Sequence, residues 1–179
     1  MAHFKIFTGP MFGGKTTKLL GAVERDVLRG YNVQSFKPNI DTRYSATAIT
    51  THLGAKLKAF SISSGEDILE QVGASDEVVN SIAVDELFMI PGAADAVVYL
   101  FRCGINVYTS TLQLNSIPEP YKEVMKIFPW ATEICVCPAI CTICGADAYY
   151  TLKTGGDPGA KIEVGGSDLY EPRCFCHFF

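Results

Sequence analysis

The chain has 179 residues, of which 48% are apolar and 19% charged, and its net charge is −4. That length can bury a real core and suits one main domain with a small appendage, while the acidic balance excludes a general attraction to nucleic acid or anionic membrane. No run approaches the ~20 apolar residues of a membrane span, and the start, Met1-Ala2-His3-Phe4, lacks the basic-then-apolar pattern of a secretory signal, so a cytoplasmic protein is expected.

Residues 3–7 (HFKIF) predict a short strand. After it, Gly9, Gly14, Lys15 and Thr16 fit G-x-x-x-x-G-K-[ST], with Pro10, Met11, Phe12 and Gly13 between them. Glycines let backbone N–H groups curl into a nest for phosphate oxygens. Lys15 would set a point charge on the β/γ-phosphates of a nucleotide, and the Thr16 hydroxyl would ligate Mg²⁺. Residues 17–29 then predict a helix with Leu19, Leu20, Val23, Val27 and Leu28 on one face, closed by Gly30. Its N-terminus would carry partial positive charge toward the same anion. A strand, a glycine-rich loop and a helix in this order distinguish a phosphate site from an ordinary turn.

Residues 32–38 predict a second strand stopped by Pro38, followed by a polar loop holding Asp41 and Arg43. On pattern alone those two are a turn acid and a solvated base. Residues 48–52 and 56–60 read as a hairpin around Leu53-Gly54-Ala55, with His52 as a structural residue. Residues 66–72 read as a helix capped by Ser64 or Gly65. The apolar run 81–84 (SIAV) predicts a buried strand that delivers Asp85 and Glu86 at its C-terminal edge, where open α/β sheets place their ligands. Two carboxylates there suit phosphoryl transfer: one holds Mg²⁺ through water and the other takes a proton from an attacking hydroxyl. A helix over about 93–103, a strand over 105–111, a proline-marked loop over 114–120 and a short helix over 121–128 complete a mostly parallel α/β domain, residues 1–138. Cys103, Cys135, Cys137 and Trp130 read as packing residues.

Residues 139–179 differ in character. Six of the seven cysteines lie between positions 135 and 176, an odd total that favours metal ligation over a disulfide framework. Cys141 with Cys144, and Cys174 with His177, give C-x2-C and C-x2-H, a closed set for structural Zn²⁺, with Cys176 competing for the fourth place. Residues 149–153 and 161–164 read as strands around a glycine-rich turn, forming a small zinc-binding domain.

These motifs resemble, in order and over nearly the whole chain, the phosphate-loop, zinc-containing thymidine kinases of the cellular and bacterial type. Gly9 to Thr16 is similar to that family's G-P-M-F-[SG]-[GA]-K-[ST], Asp41 to Tyr44 to its D-T-R-Y loop, and Asp85-Glu86 to its D-E pair. Val164-Gly165-Gly166-Ser167-Asp168-Leu169-Tyr170 resembles its lasso segment before the last zinc knuckle. The resemblance implies a P-loop NTPase-like fold with a zinc-ribbon lasso and a homotetramer. It also implies ATP with Mg²⁺ and a deoxynucleoside as small-molecule substrates, with thymidine or deoxyuridine phosphorylated at the 5′-hydroxyl. Glu86 would be the catalytic base, Asp41, Arg43 and Asp85 would serve the phosphates, and Leu112, Ser116, Tyr121, Lys161, Ile162, Glu163, Val164, Gly165, Gly166 and Tyr170 would form the nucleoside pocket. The chain departs from the family at the base pocket: the Gln of D-E-x-Q-F-F is absent after Asp85-Glu86, Gln113 stands for an Asp and Ser116 for a Phe, and Leu169 replaces a usually basic residue. Two other readings compete, a phosphate-loop NTPase switch whose ribbon holds a partner, and a kinase-like protein that has lost activity. The few basic residues after Cys141 (Lys153, Lys161 and Arg173) oppose a nucleic-acid partner.

Overall fold

A computed structural model describes residues 1–41, 47–51, 54–157, 159–160 and 162–179. Arg43, His52, Leu53 and Lys161 therefore lie outside the described residues, and so do the roles expected of Arg43, His52 and Lys161.

The elements run β1 (Phe4–Thr8), α1 (Lys15–Leu28), β2 (Val33–Pro38), β3 (Ala48–Thr50), β4 (Lys56–Lys58), β5 (Phe60–Ile62), α2 (Gly65–Gly73), β6 (Ser81–Val84), α3 (Ala93–Arg102), β7 (Asn106–Ser110), α4 (Lys122–Ile127) and β8 (Glu133–Val136). The C-terminal ribbon adds β9 (Ala139–Ile140), β10 (Asp147–Ala148), β11 (Tyr150–Lys153), β12 (Tyr170–Arg173) and α5 (Phe175–Phe178). Six strands form one parallel sheet in the order β5-β2-β6-β7-β1-β8.

Strand periodicity explains how both faces are covered. Phe4 and Ile6 of β1, Ile82 and Val84 of β6 and Val107 of β7 face α2, α3 and α4, where Ile68, Val97, Leu100 and Ile127 meet them. The intervening Phe7, Ala83 and Tyr108 face α1 through Leu19 and Val23. Ser64 caps α2 reciprocally with Asp67: the Asp67 amide donates to Ser64 Oγ at 3.4 Å, and the Ser64 amide to Asp67 Oδ2 at 3.0 Å.

Several expectations are corrected. After Lys15, the buried residues of α1 are Leu19, Val23 and Asp26, whereas Val27 and Leu28 are exposed. At about 100° per residue, positions 19, 23 and 26 share a face and Leu28 falls opposite it. The Asp26 carboxylate accepts hydroxyls from Ser81 at 2.6 Å and Tyr108 at 2.8 Å, and Arg29 at 3.1 Å. The hairpin of β3 and β4 closes at Lys58, and Phe60–Ile62 becomes the sheet's edge strand beside β2. No strand forms over 162–164; the partner of β11 is β12, and the described residues between them (154–157, 159–160 and 162–169) form the arch that joins the two strands. Cys103, past the buried stripe of α3, is exposed. Trp130 sits in a 3-10 turn at 41% exposure with the Arg102 guanidinium 6.0 Å above its ring. Cys137 is buried as expected, and Cys135, on β8, is half-buried. No helix among the described residues is long and apolar enough to cross a membrane.

Candidate active site and metal centre

The C-terminal edges of β1, β2, β6 and β7 converge on one depression, as the topology of an open parallel sheet requires. Its phosphate side begins at the loop after β1. The loop is seated on the strand end of β8: a Cβ at either Gly9 or Gly13 would stand 2.3 Å from the Cys137 carbonyl oxygen, so neither position admits a side chain. Gly14 caps α1 and offers no side chain to its first amides, which leaves those donors to an anion. Lys15 is buried, and its ammonium donates to the Pro10 carbonyl at 2.6 Å.

Asp85 and Glu86 are adjacent in sequence but face different ways. Asp85 is buried: Ser110 and Thr16 donate their hydroxyls to its Oδ1, Thr16 at 3.3 Å. Burial, then the neighbouring Glu86 charge, push its carboxyl up to about 7, against the opposing pull of the Ser110 hydrogen bond and Lys15. A carboxylate held at that disadvantage gains from a cation, and the Thr16 hydroxyl and Asp85 carboxylate are oxygen donors of the kind a hard divalent cation takes. Glu86 has a left-handed backbone at φ 49°, fixed by its amide donating to Ser110 Oγ at 3.2 Å.

Two cavities meet at Glu86. The first is lined by Met11, Phe12, Gly14, Lys15, Thr16, Asp41, Asp85, Glu86 and Gly166 among the residues expected, and also by Lys37, Thr50 and Thr51. The second is lined by Met11, Glu86, Leu112, Ser116, Tyr121, Ile162, Glu163, Gly165 and Tyr170, and also by Phe88, Met89, Leu114 and Thr151. As it stands, the second leaves about 20 Å³, room for roughly one water. Its wall is aromatic despite Ser116, because Phe88 packs on Tyr121 with ring centroids 4.5 Å apart. Burial raises the Tyr121 phenol above its ordinary range. Gly166, expected among the nucleoside residues, thus lines the first cavity rather than the second, and Val164 lines neither.

The residues that sequence reasoning missed had a faint signal. Lys37 is a charged residue inside an otherwise apolar strand end and is buried. Ser110 is a buried polar residue at the C-terminal end of β7. Thr151, which accepts the Met11 amide at 3.0 Å, had none, since 140 positions separate the partners.

In the ribbon, Cys141, Cys144, Cys174 and His177 present ligand atoms that all lie within 4.8 Å of one another. Cys144 Sγ is 3.7 Å from Cys174 Sγ, Cys141 Sγ 3.7 Å from His177 Nδ1, and Cys174 Sγ 3.1 Å from the same nitrogen. Zn–S bonds of about 2.3 Å at tetrahedral angles would set sulfurs roughly 3.8 Å apart, so the donor set fits Zn²⁺. His177, not Cys176, completes the cluster. Phe12 of the loop after β1 and the ligand Cys174 both pack against the buried cluster of Ala139, Cys141 and Ala148, which ties the ribbon to that loop.

A family model described as thymidine kinase matches residues 2–178. The chain is 36% identical to a thymidine kinase of Pyrobaculum aerophilum over 182 residues, covering 97% of this chain and 96% of the relative. It is 33% identical to that of Thermococcus kodakarensis, covering 97% and 92%, and 31% identical to that of Deinococcus radiodurans, covering 94% and 86%.

Proposed function

The chain belongs to the thymidine kinase family, and from that premise we propose that it transfers the γ-phosphoryl group of ATP to the 5′-hydroxyl of thymidine or deoxyuridine. One observation carries this reading: Glu86, with Met11, lines both the phosphate cavity and the aromatic-walled cavity. A hydroxyl bound in the second cavity would present its proton to Glu86 while facing a phosphate held in the first. The attack is in line, and catalysis is mostly positioning and charge stabilisation.

On this reading Lys15 exchanges the Pro10 carbonyl for phosphate oxygens, joined by the first amides of α1. Lys37 adds a second buried cation from the C-terminal end of β2. Mg²⁺ would be held by Thr16 and Asp85 and would neutralise phosphate charge. Phe88, Tyr121 and Leu112 give the base an apolar wall. Zn²⁺ at the four ribbon ligands would anchor both ends of the arch over residues 154–169 and take no part in the chemistry. Residues 1–138 then handle phosphate, and residues 139–179 close the nucleoside side. Seven unpaired cysteines suit a reducing, cytoplasmic setting.

Purified protein assayed with γ-labelled ATP against a panel of natural nucleosides tests the reading. Thymidine or deoxyuridine should be the best acceptor, and Glu86→Gln should lower turnover by at least ~10²-fold with nucleotide binding kept. A preference for purine nucleosides would refute the substrate assignment. Near-normal turnover in Glu86→Gln would refute the role of the base.

A further inference from the structure

Lys153 ends β11 and Tyr170 begins β12, and the two are register partners across the ribbon. Both grip the same residue of the arch that joins the strands. Lys153 Nζ lies 2.5 Å from Glu163 Oε2, with the lysine side chain 9% exposed and the glutamate 28%. Tyr170 donates its hydroxyl to the Glu163 carbonyl at 2.7 Å. The same carboxylate oxygen accepts the Asp157 amide at 3.0 Å, and Lys153 also donates to the Asp157 carbonyl. Gly156 makes the room for this: at φ 76° it tolerates the turn, and a Cβ there would stand 2.5 Å from the Glu163 carboxylate oxygens. The hydrogen bond between them holds the Glu163 carboxyl below its usual range and raises Lys153, so both are charged at neutral pH.

The Glu163 carboxylate is therefore committed to the ribbon, while Ile162, Glu163 and Gly165 line the nucleoside cavity. Two residues before Lys153, Thr151 accepts the amide of Met11, which also lines that cavity. We infer that Lys153 is a positioning residue for the nucleoside: through Glu163 it locks the 162–165 backbone against the cavity, in register with the phosphate loop. The inference rests on the second cavity being the nucleoside site. Without the lock, part of the ordering of the arch has to be done by the nucleoside itself, which weakens its binding without touching the reacting atoms.

The test compares wild type, Lys153→Met, Lys153→Arg and Glu163→Gln as full-length, zinc-loaded protein. Steady-state kinetics with thymidine should show KM raised roughly three- to tenfold in Lys153→Met and Glu163→Gln, with kcat within about twofold and KM restored toward wild type in Lys153→Arg. Hydrogen exchange without ligand should be faster over 154–157 and 162–166 in the two disrupted variants. Unchanged KM for thymidine, or a fall in kcat at unchanged KM, overturns the inference. If wild type phosphorylates no pyrimidine nucleoside, the substrate reading fails instead. Exchange then decides the lock by itself: unaltered rates overturn it and faster rates sustain it.

Discussion

Replacing Asp85 with Asn should make the unliganded protein progressively more stable than wild type as pH rises. In the folded chain the carboxyl titrates near 7, against an ordinary value of 3.8, because it is buried beside Glu86. Below about pH 4 it is protonated whether the chain is folded or not, and its contribution to stability is fully present. As pH climbs toward the folded pKa, the unfolded chain releases a proton that the folded chain keeps, so stability falls until about pH 7. Between pH 5 and pH 8 the loss from this group amounts to roughly 2–3 kcal/mol. Asparagine is neutral throughout and keeps an acceptor for Ser110 and Thr16, so any packing offset is constant with pH. Urea denaturation of both proteins at several pH values, zinc bound and nucleotide absent, reads the difference directly. The advantage of Asp85→Asn should widen with pH and then level off. A constant difference, or one that narrows, would refute the buried-carboxylate argument and with it the case for Asp85 as a poised cation ligand.

Zinc analysis should find about one ion per chain; Cys144→Ser should lose it and Cys176→Ser should keep it, because only the first belongs to the four-ligand cluster. Asp26→Ala should cost roughly 2–4 kcal/mol in denaturation, since it strips the acceptor from Ser81 and Tyr108 in the core, while turnover at saturating substrate holds. Ser116→Phe should raise the KM for thymidine at least about fivefold, because the cavity already has the Phe88–Tyr121 wall and little room. A fall in KM would show that the wall is incomplete without it.

Much of this architecture was legible because its signals are local. The phosphate loop needs glycine at fixed spacing, and the strand before Asp85 is a continuous apolar run because both of its faces are covered. The zinc ligands were readable as paired knuckles for the same reason. Illegible parts depend on partners far away in sequence. Residues 161–164 have a strand-like composition, but β11 pairs with β12, and Ile162 and Glu163 line the second cavity instead. Phe60 looked like the end of a hairpin leg, yet β2 offers Phe60–Ile62 a parallel edge. Nothing in the local sequence marks Asp26 as buried, because its partners Tyr108 and Ser81 come from two other strands. The aromatic wall escaped notice because Phe88 follows the acidic pair in a short 3-10 turn, where helical and strand periods both fail.

Glu86 shows why the site needed more than its motif. A strand that simply continued past Val84 would send Asp85 and Glu86 to opposite faces, and only one would reach the depression. Instead Glu86 takes φ 49° and ψ 44°, a conformation that costs a non-glycine residue roughly 1–2 kcal/mol. The cost is met by three fixed contacts: its amide on Ser110 Oγ, its carbonyl accepting the Met89 amide at 2.9 Å, and the buried Leu87 that follows. The kink leaves Asp85 just past the strand end, bonded to Thr16, and turns Glu86 to the junction of the two cavities. Ser110 holds both acidic residues at once, donating to the Asp85 carboxylate and accepting the Glu86 amide. On the proposed reading, a metal-binding acid and a proton-accepting base can thus sit on consecutive residues without doing each other's work.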